Sequence, residues 1–198
     1  MDFRETANIV IDEAVSDLEL ILSSSGWTDL GVKDEVTGYQ KTDKDRILVK
    51  GEGIIKATPE KIADYLWDIN NTKAYFEDLE SLKVLYDYND LKIIHEVMKF
   101  PWPFSCREVL LALKKIKQDK DYLIIARSVD IGIQEGSDNV RANAFIRAYN
   151  LKSINTFETK MTYLNSGNPG GSIPNYVVNM FAGKQAFLIS KIRNLVLR

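Results

Sequence analysis

The sequence predicts an α+β fold, in which a curved antiparallel β-sheet is covered by a long C-terminal α-helix. Three observations carry this. The middle of the chain is a succession of short β-branched and aromatic runs separated by turn clusters. Residues 3–25 and 173–197 instead carry apolar residues at helical spacing. Between the last strand-like run and the last helical one lies Asn165-Ser166-Gly167-Asn168-Pro169-Gly170-Gly171-Ser172, the sharpest break in the chain.

In residues 3–25, Ala7, Val10, Ile11, Ala14, Val15, Leu18, Ile21 and Leu22 recur at three and four, with acids mostly off that stripe. This is the pattern of an amphipathic helix packed on its own domain. Ser23-Ser24-Ser25-Gly26 stops it, with Gly26 as C-cap. From Trp27 to Ala57 the pattern is strand-like: residues 36–40 form one run and 47–57 another, with Gly51 and Gly53 suggesting a bend or bulge. Thr58-Pro59-Glu60 is a helix start, with a hydroxyl N-cap, proline at the first position and acid in the first turn. That helix carries Ile62, Tyr65 and Leu66 to about Asp68, and Asn70-Asn71-Thr72 caps a second short helix through Phe76.

Three hairpins follow: residues 81–86 with 92–100, 108–117 with 122–129, and 140–149 with 155–164, with a loop over 130–139. The total is about eight strands, antiparallel by their short connections. After the break, residues 173–197 read as one helix, with Pro174 in its first turn and Gly183 its only interior breaker. At about 1.5 Å per residue it is roughly 37 Å long, enough to cover the inner face of the sheet. Its apolar face includes Val177, Val178, Phe181, Leu188, Ile192 and Leu195. Gln185 falls on the same face, where a polar side chain needs a partner.

With 198 residues and 45% hydrophobic content, the chain reads as one domain over 1–198. It divides into an N-terminal helix (1–26), a sheet with two short helices (27–172) and a C-terminal helix (173–198). A net charge of −2 excludes a strongly basic nucleic-acid footprint. The single cysteine, Cys106, makes no internal disulfide, which fits a reducing compartment. With one histidine, His95, it excludes a Cys/His zinc cluster. Met1-Asp2-Phe3-Arg4-Glu5 is acidic where a signal peptide is basic, and no long uninterrupted apolar stretch occurs, so a cytoplasmic protein is expected. Asn168-Pro169-Gly170-Gly171 lacks the Gly-Lys-Ser/Thr end of a phosphate-binding loop. His95 and Cys106 flank the proline-rich turn almost symmetrically, but a thiolate–imidazole dyad requires that they meet and find a third orienting group. Cys106 reads instead as a small buried residue, and no catalytic residue, metal or cofactor is expected.

Two segments carry a resemblance. Pro101-Trp102-Pro103-Phe104-Ser105-Cys106-Arg107-Glu108 and Asn168-Pro169-Gly170-Gly171-Ser172-Ile173-Pro174 resemble the START family of lipid-transfer domains. That family shows an apolar-proline segment leading to Arg-Asp and a strand, then an Asp- or Asn-Pro-Gly-Gly turn, Ile-Pro and a long terminal helix. Glu108 stands here for the usual Asp. Ala126-Arg127-Ser128 fits the branch that includes phosphatidylcholine transfer protein. The resemblance covers about residues 27–197.

It implies a helix-grip fold, with the sheet wrapped around the terminal helix and one lipid in a tunnel between them. It implies a gate made from the start of that helix and the loop around 130–139, with Gly132, Gly136, Gly170 and Gly171 absorbing backbone change. The expected lining includes Val178, Phe181, Gln185 and Leu188, with Glu96, Arg107 and Trp102 as further lipid-binding candidates. Arg107 reads either as a fork for a phosphate or carboxylate or, the preferred reading, as a structural arginine pairing with an acidic side chain. In sterol-binding relatives the acid at Glu96 belongs to an ion pair whose cation falls on Leu113 here. The choline-selective relative places aromatic cage residues at Leu66, His95 and Val109, and its phosphate-pairing arginine at Thr72, beside Lys73; Tyr65, Trp67 or Trp102 would have to rebuild the cage. Ile131, Ile133, Val177 and Met180 are the candidates for membrane contact.

The expected function is non-catalytic binding and intermembrane transfer of one lipid, a phospholipid first, by a monomer that touches membranes transiently. The alternatives are a lipid-sensing module with an unidentified protein partner and a helix-grip hydrolase or cyclase.

Overall fold

The computed structural model describes residues 2–43, 46–133 and 138–198. Its centre is a ten-stranded sheet in the order β1-β2-β3-β10-β9-β7-β6-β5-β4, in which every pair along that path is antiparallel. The strands are β1 (Thr28–Lys33), β2 (Val36–Asp43), β3 (Arg46–Ile55), β4 (Leu79–Asp87), β5 (Leu91–Met98), β6 (Arg107–Gln118), β7 (Asp121–Ser128), β8 (Val140–Arg141), β9 (Asn143–Asn155) and β10 (Glu158–Asn168). The short β8 lies off the path, parallel to β6 at Arg107 and Glu108.

The helices are α1 (Arg4–Ser23), α2 (Pro59–Trp67), α3 (Thr72–Tyr75), α4 (Asn175–Gln185) and α5 (Leu188–Val196). A single 3₁₀ turn, Ile69–Asn71, precedes α3. Thr58 caps α2 as predicted, its hydroxyl accepting from the Lys61 amide at 3.2 Å.

The central strands are apolar on both faces because both faces are covered. In β6, Val109, Leu111 and Leu113 join an inner cluster beneath α2, α3 and α5. The alternate residues Leu110 and Ala112 join an outer cluster against Ala7, Ile11, Ala14 and Leu18 of α1. Arg127 of β7 ties α1 down from the sheet, with Asp17 at 2.7 Å and Glu13 at 3.8 Å.

Several boundaries differ from those predicted. The third hairpin turns at residues 156–157, because residues 150–155 continue the strand and Asn155 accepts the Phe157 amide at the corner, 2.8 Å away. β10 runs on to Asn168, which shortens the break before the last helix. β1 was not singled out from sequence; all six of its residues are exposed, so burial leaves no pattern in it. Gly26 has φ +85°, but the C-cap of α1 is Ser24. The terminal helix is two helices. Pro174 is extended and precedes α4 rather than lying in its first turn, and the interruption falls at Ala186-Phe187 rather than at Gly183.

The interruption sits where the chain meets two glycines of the sheet. A Cβ at Gly51 in β3 would sit 2.2 Å from the Ala186 carbonyl oxygen, and one at Gly38 in β2 would sit 2.7 Å from the Phe187 ring. The two glycines let the junction settle onto the sheet backbone, and α4 and α5 leave it as separate segments.

A cavity between the terminal helix and the sheet

Beneath α4 lies a cavity of about 150 Å³. Ile47 and Val49 of β3 and Val109 of β6 form apolar floor, Met98 and Phe100 the end of β5 and its loop, and Val178, Phe181, Ala182 and Gln185 the α4 side. Two larger hollows, about 730 and 770 Å³, are surface clefts rich in charged side chains at other edges of the sheet. The cavity under α4 lies between two layers and is walled mainly by apolar groups, with Lys99, Arg107, Arg147 and Gln185 among its polar lining, an arrangement that suits a largely apolar ligand.

Val178, Phe181 and Gln185 therefore line a common space. The Gln185 side chain finds its partner across it, its Oε1 accepting from Asn165 Nδ2 at 2.6 Å. Phe181 stacks on Phe100 with ring centroids 4.6 Å apart, closing α4 against the β5–β6 loop. Leu188 is a correction: it lies past the helix interruption and packs in the inner core, not on the cavity. Trp102 is another. It is 92% exposed in the β5–β6 loop and is not among the residues lining this cavity. None of Tyr65, Trp67 and Trp102 reaches the cavity, so no aromatic cage is rebuilt there.

Arg107 also lines the cavity, but its donors are spent on main chain. Its guanidinium donates to the carbonyls of Ser105, Pro169 (3.1 Å) and Gly170 (3.3 Å) and lies 4.7 Å over the Phe100 ring. The two sequence segments behind the resemblance thus meet at this side chain. It holds the Asn-Pro-Gly-Gly turn, although its partners are carbonyls instead of the acidic side chain expected. Burial lowers its pKa.

Glu96 is 2% exposed and does have a cationic partner. The partner is Arg147, whose Nη1 reaches both carboxylate oxygens, at 2.8 and 2.9 Å. It comes from β9 rather than from the β6 position occupied by Leu113, so an alignment to the known pair misses it. The signal was a lone arginine in the apolar alternation of β9. Arg147 forms the deep wall of the cavity and lies 4.9 Å over the Phe76 ring. Burial works against its charge, but Glu96 together with Tyr149 and Tyr163 outweighs it and holds the pKa above the ordinary value. Behind it, Tyr149 and Tyr163 are buried with rings 5.2 Å apart. Burial raises the pKa of both and pushes Tyr75 up to about 12.

His95 points to the outer face. Its Nε2 is 3.0 Å from Glu108 Oε2, and Arg141 holds the other Glu108 oxygen at 2.9 Å. Its buried Nδ1 has no partner, so His95 forms no hydrogen bond to Cys106.

The expected gate is rearranged. Ile131 and Ile133 pack into the outer cluster beside α1 rather than standing at the cavity. Val177 is buried, whereas Met180 is 47% exposed and its neighbour Tyr176, not singled out from sequence, is 73% exposed. Gly132, Gly170 and Gly171 have positive φ. Gly170 is also fixed by close approach, since a Cβ there would lie 2.5 Å from the Arg141 carbonyl oxygen. Gly136 lies outside the described residues.

A curved antiparallel sheet gripping a C-terminal helix over an apolar cavity defines a helix-grip domain of the lipid-binding type. The chain belongs to the START domain family, whose model matches residues 13–197. It is 23% identical to phosphatidylcholine transfer protein of Rattus norvegicus over 203 residues, 96% of this chain and 90% of that one. Its fold is similar to that of human StAR-related lipid transfer protein 5, with TM-score 0.85, 15% identity, and coverage of 99% and 98% of the two chains. Human STARD10 superposes with TM-score 0.79 at 21% identity, over 94% of this chain and 79% of that one. Among the described residues, no helix is long and apolar enough to cross a membrane.

Proposed function

We propose that this chain takes one lipid into the space under α4 and carries it between membranes, as a single chain and without covalent chemistry. The observation that carries the reading is the mainly apolar cavity between α4 and the sheet. Each methylene withdrawn from water is worth ~0.8 kcal/mol, so a chain of about fifteen is worth on the order of 12 kcal/mol. A carrier must match most of that by enclosing the chain. The same magnitude makes release into water slow, so exchange takes place at a bilayer.

Phospholipid is the class to test first, because the curated relatives are named phosphatidylcholine transfer proteins. Membrane contact falls to exposed Trp102, Tyr176 and Met180. Phe100 stacks on Phe181, which sets the loop bearing Trp102 beside α4. Aromatic and aliphatic tips of this kind enter the interface weakly and reversibly. The protein then works in the cytoplasm, peripherally on membranes. A hydrolytic reading finds no support in His95, whose hydrogen bond goes to Glu108.

The test is transfer of a fluorescent phospholipid between donor and acceptor vesicles. The expected result is a rate that rises in proportion to protein concentration, and that falls in Trp102→Ala while the variant still binds lipid. A rate no faster than spontaneous exchange would remove the carrier reading.

A further inference from the structure

We infer that Phe100 is a clasp on α4, which water holds shut and a bilayer releases. This rests on the carrier reading above and adds to it the residue that confines lipid exchange to a membrane surface.

The contacts that hold α4 differ in kind. At its C-terminal end Gln185 accepts from Asn165 at 2.6 Å, and Ala186 beyond it is seated on Gly51. Val177 and Ala182 are buried against the sheet side. Asn179 accepts from Gln40 of β2 at 3.2 Å, but that bond is exposed and water competes for both amides. Phe181 stacks on Phe100, with ring centroids 4.6 Å apart and the planes inclined by 25°. The Gln40, Asn165 and Gly51 contacts tie α4 to strands, whereas Phe100 belongs to the loop between β5 and β6. Both rings of the stack are half-buried and line the cavity, so parting them opens its wall at that point.

The loop is built to carry Phe100 outward. Pro101, Trp102 and Pro103 are all exposed. The Phe104 amide donates to the Pro101 carbonyl at 3.0 Å, and the two prolines fix their own φ angles, so this turn moves as one piece. Phe100 directly precedes it. The Arg107 guanidinium lies 4.7 Å over the Phe100 ring, yet its donors go to the carbonyls of Ser105, Pro169 and Gly170. The turn that leads into α4 therefore keeps its tether when Phe100 leaves.

In water, separating the two rings wets both, and the stack stays closed. A bilayer alters one side of that balance. Trp102 enters the interface, and Phe100, drawn after it, exchanges the Phe181 ring for hydrocarbon instead of for water. α4 then lifts about the junction seated on Gly51. Tyr176 and Met180, one turn apart and exposed, follow it into the same interface.

The experiment loads the full chain with pyrene-labelled phosphatidylcholine and compares release to two acceptors, methyl-β-cyclodextrin in solution and phosphatidylcholine vesicles. Wild type should release quickly to vesicles and slowly to cyclodextrin. In Phe100→Ala, release to cyclodextrin should rise about five- to tenfold, the factor that loss of one aromatic pair gives, and release to vesicles far less, so the ratio of the two rates collapses. Phe100→Tyr keeps the ring and should restore the ratio. Trp102→Ala should slow release to vesicles, and adding Phe100→Ala should recover most of that loss. A role in lining or folding alone would raise both rates alike, or lower the melting temperature, with the ratio kept.

An unchanged ratio in Phe100→Ala, or a double variant as slow as Trp102→Ala, would overturn the inference. So would a wild-type chain that carries the lipid but releases it equally fast to both acceptors, which leaves the carrier reading intact. If the wild-type chain takes up no lipid, the carrier reading falls and this inference with it.

Discussion

The two halves of the terminal helical segment do different work. α5 sends Leu188, Ile189, Ile192 and Val196 into the inner core, each 5% exposed or less. α4, of similar length and composition, covers a void with Val178, Phe181 and Gln185, and leaves Tyr176 and Met180 in water. The junction between them is pressed onto Gly51, while Gly183, within α4, meets nothing. One half anchors and the other roofs. The apolar stripe alone does not separate them, since residues that pack and residues that line a cavity obey the same spacing.

Breaking the anchor should have the largest effect. Ile192→Asp places a charge at a site with no exposure, and a loss of at least about 4 kcal/mol is expected, seen as loss of the cooperative melting transition. A mild effect on melting there would mean that α5 is not the anchor.

Next comes the buried pair that bounds the cavity on the anchored side. Glu96→Gln leaves Arg147 charged and unmatched, with an expected cost of about 3 kcal/mol in urea unfolding. Adding Arg147→Met should restore most of it. If the double variant is no better than the single one, the pair contributes more than mutual neutralisation.

The same side responds to alkali. Tyr75 is 3% exposed, and burial raises its pKa from 10.0 to about 12. A raised folded-state value means that the folded chain holds a proton the unfolded chain has released, so stability is complete below pH 10 and declines between 10 and about 12. Melting temperatures across that window should fall, and Tyr75→Phe should flatten the slope.

The smallest effects separate the glycines. Gly51→Ala must push the Ala186 carbonyl away from a contact of 2.2 Å, at about 1–3 kcal/mol. Gly183→Ala, which meets nothing within 4 Å, should stabilise α4 by about 0.5–1 kcal/mol. Equal effects of the two would contradict the placement of the helix junction.

The sheet, its hairpins and the helical ends were legible because alternation, caps and turn residues are local signals. Thr58-Pro59 marked α2, and the Asn-Pro-Gly-Gly turn pointed to the family. The helix interruption was not legible, because the glycine it settles on lies in β3, more than a hundred residues away. Arg147 was not legible as the partner of Glu96, because pairing across strands depends on registers that spacing does not reveal. Val178, Phe181 and Gln185 followed from helical phase, but Leu188 has the same phase and lies beyond the junction. Trp102 was misplaced because an aromatic between two prolines reads the same whether it points in or out.

The central claim is that a lipid lies between α4 and the sheet. Native mass spectrometry of wild-type chain and Phe181→Asp, each incubated with mixed-lipid vesicles and then extracted for lipid identification, tests it most directly. The account predicts one lipid per wild-type chain, and a bare Phe181→Asp that still melts cooperatively. An equal adduct on both proteins, or none on the wild type, would contradict it.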